Sequence, residues 1–330
     1  VRQAPQQTHA MRIFRLLPCL LLLTGSGAGL GARGHSHTTA VSSPDRAVRQ
    51  RAYSALRRGL QAGDFDSDTI QAFLLAGLEN DRALANTVRA LAEFVPRGAV
   101  PQLISALNDT RPAIRRQATD ALSAIGPDAS TAADALLALL SDTDPIVRSY
   151  AGIALSSVDP EGRLLPALLA MVLSQQQPLR LEALYALERY QERALPVLPD
   201  LLPLLSDSDD DVRYWTTIVV GNVAASESSV ASLLATLLRE DGCVWVRERA
   251  ARELWELGLD GHALSSSVLA TLVLALDSDV SSAVRRQAAL ALGSSDSLRE
   301  SHRAAFRRCA EHEAGDLRET CQSLLRGPSR

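Results

Sequence analysis

The sequence predicts an all-α fold, an α-solenoid in which about eight to nine two-helix repeats of about 33 residues stack one after another. Three observations predict it. An arginine recurs nine times at nearly constant spacing. Each interval contains two apolar runs with the spacing of amphipathic helices. The hydrophobic fraction of 46% comes mostly from Ala, Leu and Val, and aromatic residues make up only 4%, a mixture that suits stacked helices better than a sheet sandwich.

The recurring arginine follows an aliphatic residue and stands three positions before a small one. Successive arginines are 33, 33, 33, 32, 33, 34, 38 and 33 residues apart, a constancy that chance does not produce. In the second copy Asp81 replaces the aliphatic residue. We therefore expect the repeats to occupy residues 45–326. The nine arginines are Arg49, Arg82, Arg115, Arg148, Arg180, Arg213, Arg247, Arg285 and Arg318.

Each repeat is expected to contain two helices joined by a short acidic turn. Pro101, Pro166 and Pro199 stand near the start of the first helix, where a missing N–H group does no harm, whereas Pro203 is expected to kink its helix. The second helix follows a turn such as residues 141–145, Ser-Asp-Thr-Asp-Pro. Its Asp and Ser side chains can cap that helix and interact favourably with its positive end.

This alternation resembles the short HEAT-like repeat first described in phycobilisome lyases. The resemblance covers roughly residues 45–326, and it depends on the Asp142-x-Asp-Pro-x-Val-Arg148 turn and on the Val-Arg-x-x-Ala-x-x-Ala-Leu helix. It implies that each repeat arginine pairs with turn acids of its own or the adjacent repeat, so that the nine arginines form a structural ladder. Families with such repeats are mostly scaffolds, and the fold alone therefore names no partner.

A helical projection predicts which side chains face outward. With the aliphatic residue of each second helix as position 0, positions 0, 4, 7, 8 and 11 form one buried stripe, and positions 2 and 6 point to the concave face. These outward positions are apolar in the middle repeats and charged in the flanking ones. We expect a partner-binding groove there, although the same side chains could instead pack between neighbouring second helices. The groove residues at these positions are Ile153, Leu181, Tyr185, Tyr214 and Ile218, and Tyr150 and Trp215 at position 3 extend the same surface.

Composition and motifs favour binding over catalysis. The formal net charge is -4 and acidic residues recur throughout the chain, which argues against nucleic acid as a partner. A single His-Glu pair, His312-Glu313, is too few for a di-iron site, and no phosphate-binding or Gly-x-Ser-x-Gly motif occurs. We expect a non-catalytic scaffold without a cofactor, bound to a peptide or protein. A bilin-lyase-type or HEAT-hydroxylase-type enzyme and a purely structural array are the alternatives. The charged segment 299–326 would cap the stack and favour a monomer.

The amino-terminal segment has the order of a secretory signal. Basic residues follow Met11, an apolar run begins at Leu16, and small residues extend to Ala32. We therefore expect a signal peptide at 11–32 after an over-extended start at 1–10, a linker at 33–44 and a tail at 327–330. The protein would be secreted or periplasmic, without stable membrane insertion once the signal is cleaved. An uncleaved anchor at 16–32 is the alternative.

Three cysteines follow the predicted signal. Cys309 and Cys321 lie six residues either side of Gly315. An antiparallel helical hairpin that turns there would place the two cysteines at equal height along its helices. In an oxidising compartment they could then form a disulfide; the alternative is that they remain buried thiols. Cys243 would stay unpaired. If cleavage follows Ala32, His35 becomes the third residue and completes a square-planar copper or nickel site; otherwise no metal is expected.

Overall fold

The computed structural model describes residues 96–223 and 228–327, together with scattered positions between 45 and 58. The predicted signal peptide and linker, His35, Arg49 and Arg82 lie outside the described residues, as does nearly all of the predicted tail. The described part of the chain is helical and contains no strand, which confirms the predicted all-α solenoid class. None of its helices is both long and apolar enough to cross a membrane.

The chain divides into two compact units, residues 1–160 and 161–330. From residue 96 onward the first unit has four α-helices and two 3₁₀ segments. Their bounds are α1 Pro96–Ala106, α2 Pro112–Ile125, a 3₁₀ helix Gly126–Ala132, α3 Ala133–Ala138, a 3₁₀ helix Leu139–Ser141 and α4 Pro145–Val158. The second helices α2 and α4 pack against each other.

The second unit continues the same alternation. Its elements are α5 Leu165–Val172, α6 Gln177–Glu188, a 3₁₀ helix Gln191–Val197, α7 Leu198–Leu201, a 3₁₀ helix Leu202–Ser206, α8 Asp210–Val223, α9 Ser228–Glu240, α10 Val244–Leu259, α11 Ser266–Ser278, α12 Ser282–Leu292, α13 Asp296–Ser301, α14 Arg303–His312 and α15 Gly315–Arg326. The second helices α6, α8, α10, α12 and α15 pack in this order, each against the next. Within each unit, the second helices therefore bury their apolar stripes against the neighbouring repeats.

Local sequence explains where the helices begin and end. Asp144 caps α4 by accepting hydrogen bonds from the backbone N–H groups of Ile146 and Val147, and Pro145 occupies the first turn. Pro203 lies where α7 gives way to 3₁₀ geometry, as expected of a residue without an N–H donor. Pro101 departs from the expectation, because α1 begins five residues earlier and Pro101 lies in its interior.

The core lies along the stripe that the helical projection indicates. On α10, Val246, Ala250, Leu254 and Leu257 occupy positions 0, 4, 8 and 11, and all four are buried. Glu253, at position 7, belongs to the same stripe and is buried as well. It is the one carboxylate at that position among the described second helices.

Candidate functional site

The repeat arginines connect consecutive turns. Arg115 donates from Nε and Nη2 to the two carboxylate oxygens of Asp142 in the next repeat, at 2.6 and 2.7 Å, and from Nη1 to the carbonyl oxygen of Asp109 at 2.7 Å. Arg213 makes the same bonds to Asp241, at 2.7 and 3.0 Å, and to the carbonyl of Asp207. Each arginine thus bonds to the backbone of its own turn and to the carboxylate of the following turn.

The remaining described arginines vary this pattern. Arg247 bonds to both carboxylate oxygens of Asp279, and Arg285 bonds to Glu313 at 3.0 Å. Arg180 bonds to Asp207, but its second acceptor is the carbonyl of Val172. Arg148 donates to the carbonyl of Asp142 at 2.9 Å. Arg318 lies exposed on α15.

The turn carboxylates are held by two kinds of donor. Asp142 also accepts a hydrogen bond from the backbone N–H of Asp144, as Asp279 does from that of Ser281. Burial by itself would raise the pKa of Asp142, but the bonds from Arg115 and from the Asp144 backbone outweigh it and hold the pKa below its ordinary value. The arginine–aspartate ion pairs at these turns are therefore fixed contacts that connect one repeat to the next.

The predicted groove residues divide between the two units. Tyr150 and Ile153, on α4 of the first unit, are 36% and 38% exposed. In the second unit Leu181, Tyr185, Tyr214 and Trp215 are all half-buried.

The aromatic rings of the second unit form a contact chain. Tyr185 and Trp215 meet edge to face at 5.5 Å between ring centroids, and Tyr214 and Trp215 at 5.9 Å. Arg189 lies over the ring of Tyr185 and donates a hydrogen bond to its hydroxyl at 3.0 Å. Trp215 therefore joins two second helices, α6 and α8, through its ring contacts.

One expected groove residue is not on the surface. Only 7% of the surface of Ile218 is exposed to solvent, so the prediction that it lines a groove was wrong. Its helix, α8, packs against α6 and against α10. Packing between neighbouring second helices, the alternative considered for this set, therefore applies to Ile218.

The second unit contains an open recess, the aromatic pocket, with a volume of about 410 Å³. Trp245 is the most exposed of its aromatic residues, with 70% of its area accessible. Trp245 is not among the predicted groove residues because it precedes position 0 of its helix. The signal was present, since a residue at position −1 lies only about 20° from position 6 on a helical projection. The lining residues are Asp211, Tyr214, Trp215, Trp245, Glu248, Arg249 and Arg252.

Charges at the aromatic pocket are unevenly paired. Arg252 forms an ion pair with Glu256 four residues later on α10, at 3.0 Å, and Arg249 pairs in the same way with Glu253. Asp211 and Glu248 form no ion pair with any residue that the structure describes. The pocket therefore combines three aromatic rings with two carboxylates that form no ion pair with a described residue.

The cysteines and potential ligands are placed as follows. Cys309 on α14 and Cys321 on α15 are bonded, with sulfurs 2.06 Å apart and Cα atoms 6.2 Å apart. Cys243 is a half-buried free thiol. Within the ranges described, no three His, Cys, Asp or Glu side chains form a group that could hold a metal ion.

Comparisons with known proteins identify the repeat type. A model of the HEAT repeat family matches residues 70–156 and 133–221, so this part of the chain is similar to HEAT repeats. The finer resemblance to the phycobilisome-lyase type stays a prediction. A search of the curated proteins found no match.

Solved structures with similar folds include two complexes of Kap121p. The complex with Pho4p has a TM-score of 0.65 and 14% identity, and the complex with Nup53p has a TM-score of 0.64 and 15% identity; each match covers 96% of this chain and 39% of Kap121p. Importin beta matches with a TM-score of 0.50 and 15% identity, over 95% of this chain and 46% of importin beta. The chain thus spans less than half the length of these proteins, and at such identity the likeness concerns the fold alone.

Proposed function

We propose that this protein is a non-catalytic scaffold that binds a peptide or a segment of a protein at the aromatic pocket. The observation that carries the proposal is Trp245, which leaves 70% of its area in water beside Trp215 and Tyr214. Tryptophan and tyrosine are the residues that most often dominate binding energy at interfaces. A recess of about 410 Å³ is large enough to enclose one or two side chains of a partner.

The rim of the aromatic pocket supports a partner that carries positive charge near its anchoring side chain. Arg249 and Arg252 each form an ion pair with a glutamate four residues later on the same helix. Asp211 and Glu248 form no such ion pair with a described residue, and they favour a positive charge on a bound partner. An exposed carboxylate at a rim contributes mainly to association rate and to the choice of partner, while the aromatic rings supply most of the affinity.

Solved structures with a similar fold support a protein or peptide as the partner. Two of the Kap121p structures contain a bound protein, Pho4p in one and Nup53p in the other. HEAT repeats present a row of second helices on which a partner can lie, and the aromatic pocket is located on two such helices, α8 and α10. A protein or peptide partner is therefore the class that fits best.

The scaffold is proposed to act in an exported compartment, secreted or periplasmic. The signal-like segment 11–32 supports this, and so does the bond between Cys309 and Cys321, since disulfides persist mainly in oxidising compartments. Fractionation of the native host decides the point. Recovery of the protein in the cytoplasm would overturn it.

The binding test begins with peptides selected on the wild-type protein from a random display library. Trp245→Ala is expected to weaken the binding of these peptides by about 2 kcal/mol, about thirtyfold in Kd, because it removes an exposed anchor. Since Trp245 is mostly exposed, its replacement should change the free energy of unfolding by no more than about 0.5 kcal/mol.

The matched control is Val280→Ala. Val280 is also apolar and is 86% exposed, but it does not line the aromatic pocket. The control should bind every selected peptide as the wild type does. Equal Kd values for the wild type and Trp245→Ala, measured by fluorescence anisotropy, would exclude this pocket as the binding site.

A further inference from the structure

A second recess of the same unit, the acidic cavity, opens at the carboxyl-terminal ends of α6, α8 and α10. Its volume is about 340 Å³, within the range of small-ligand sites. It has four carboxylates and one guanidinium, and helix carboxyl termini add partial negative charge. The lining residues are Tyr190, Gln191, Glu192, Arg193, Gly221, Asn222, Glu253, Glu256, Leu257 and Asp260.

Glu253 stands out at this cavity by its position in the repeat. Position 7 belongs to the buried stripe, and burying a charge there is unfavourable unless the charge is paired. The Glu253 side chain nevertheless has only 2% of its area exposed. The other described second helices carry aliphatic residues at this position, namely Ala121, Ala154, Ala186, Val219, Ala291 and Leu324.

The preceding repeat leaves room for this carboxylate. A Cβ atom added to Gly221 on α8 would lie 2.2 Å from Oε2 of Glu253, closer than real atoms approach. Any residue other than glycine at 221 would therefore displace the carboxylate. The pair of Gly221 and Glu253 is matched across two repeats, so the buried carboxylate is a built feature of the fold.

The carboxylate of Glu253 has one ion-pair partner, and its buried Oε1 atom has no aligned hydrogen-bond donor among the described residues. Oε1 forms an ion pair with Arg249, which lies on the side of the aromatic pocket. Oε2 lies against Gly221, which also lines the cavity, and no hydrogen bond or ion pair joins it to a described residue. Burial raises the pKa of Glu253 to about 7, and the charge of Glu256 adds to this while Arg249 opposes it.

The one cation of the lining is already engaged elsewhere. Arg193 donates from Nε to the carbonyl of Tyr190 at 3.1 Å, and its guanidinium lies 5.1 Å from the centre of the Tyr190 ring. Glu256 shares its charge with Arg252, but Glu192 and Asp260 form no ion pair with a described residue. The cavity therefore has an excess of acceptors and lacks a donor for Glu253.

We propose that the acidic cavity binds the cationic head of an organic ligand, an ammonium or a guanidinium group, which donates to Oε2 of Glu253. Glu192, Glu256 and Asp260 surround the bound charge, and the side-chain oxygens of Gln191 and Asn222 are further acceptors. The same head group could belong to a free small amine or to a basic side chain of a partner protein. The site is separate from the aromatic pocket, so its failure leaves the proposed function untouched.

The test is calorimetric titration of the full chain at pH 7 with n-butylammonium, n-butylguanidinium and, as a neutral molecule of equal size, 1-butanol. At least one of the two cations should bind, and the alcohol should not. A bound cation lowers the pKa of Glu253, so binding releases protons, and the measured enthalpy should depend on the ionisation enthalpy of the buffer. Equal heats for cation and alcohol, or tighter binding of Mg²⁺ than of either organic cation, would overturn the proposal.

Two variants test the role of Glu253. Glu253→Gln keeps the shape of the side chain, removes the charge and is expected to weaken cation binding at least tenfold. Gly221→Ala should have the same effect, because the new methyl group displaces the carboxylate. The control is Glu311→Gln, an exposed carboxylate outside the cavity, which should bind as the wild type does. Unchanged affinity in folded Glu253→Gln protein would refute the assignment.

The pH dependence provides a second measurement. The charged groups facing Glu253 are Arg249, Arg252 and Glu256 on its own helix, with Glu192, Arg193 and Asp260 from the adjoining loops; the part of α8 that lines the cavity contributes only Gly221 and Asn222. Because the carboxylate is protonated below its pKa of about 7, affinity should fall about tenfold from pH 8 to pH 6. A flat profile over this interval would contradict the role of Glu253.

The source of the head group is decided by a pair of peptides. An acetylated and amidated Gly-Lys-Gly peptide and its acetyl-lysine form differ only in the charge of one side chain. If the lysine peptide binds as tightly as butylammonium and the acetylated form does not bind, the cavity accepts a basic side chain of a partner. If butylammonium alone binds, the ligand is a free amine. Failure of both cationic probes would overturn the proposal.

Discussion

Replacing Glu253 by Gln is expected to stabilise the protein, and more at pH 8 than at pH 5. The pKa of this buried carboxyl is about 7 in the folded chain, against an ordinary value of 4.5. Between these two values the folded state binds more protons than the unfolded state, so stability falls as pH rises. The resulting penalty is roughly 3 kcal/mol at pH 8 and roughly 1 kcal/mol at pH 5.

The assay is urea denaturation of the wild type and of Glu253→Gln at both pH values. It is followed by circular dichroism and by tryptophan fluorescence, because coincident transitions are needed before a single free energy of unfolding is assigned. The difference between the variant and the wild type should be roughly 2 kcal/mol larger at pH 8 than at pH 5. Effects of pH on all other groups cancel in this comparison.

The matched control is again Glu311→Gln, whose side chain is exposed and which should show the same small difference at both pH values. An equal effect of Glu253→Gln at pH 5 and pH 8 would show that Glu253 keeps an ordinary pKa in the folded state. The reasoning about its burial would then be refuted. A loss of stability at pH 8 would show that the Arg249 ion pair outweighs the penalty of burial.

Two further predictions concern the fixed contacts between repeats and the last hairpin. Arg213→Met should lower the free energy of unfolding by about 3 kcal/mol, because it leaves the buried carboxylate of Asp241 without its partner. The control Arg239→Met removes an exposed ion pair and should change the free energy of unfolding by less than about 1 kcal/mol. Equal effects of the two variants in urea denaturation would contradict this prediction. Cys309 and Cys321 should take up alkylating reagent only after reduction, and mass spectrometry of unreduced, unfolded protein showing both labelled would exclude the bond.

The repeat and its register could be predicted from the sequence because every copy must pack in the same way against its neighbours. A solenoid repeat must bury one stripe of each helix, so the apolar positions recur with the arginine. The direction of the arginine contacts could not be read in the same way. Arg213 bonds to the carbonyl of Asp207 and to the carboxylate of Asp210, both beside its own turn. It also bonds to the carboxylate of Asp241 in the following turn, a contact that depends on the spacing between stacked turns.

The candidate site was only partly predictable, since a helical projection treats each helix alone. It indicates outward positions correctly for Tyr214, but the cover that α6 and α10 provide for α8 leaves Ile218 buried. Trp245 was missed because the projection began one residue after it. The sequence already shows that Glu253 interrupts the apolar stripe of its helix. Only the structure shows that Gly221 of the preceding repeat leaves space for its side chain.

The two recesses of the second unit are connected through α10. Arg249 and Arg252 line the aromatic pocket, and the glutamates that they pair with, Glu253 and Glu256, line the acidic cavity. A cation that binds Oε2 of Glu253 competes with Arg249 for the same carboxylate and so leaves Arg249 more available to an acceptor in the aromatic pocket. Because such coupling is reciprocal, a partner that engages Arg249 would also change the affinity of the acidic cavity. The pairing of charges along one helix thus gives the two sites a physical route by which each can influence the other.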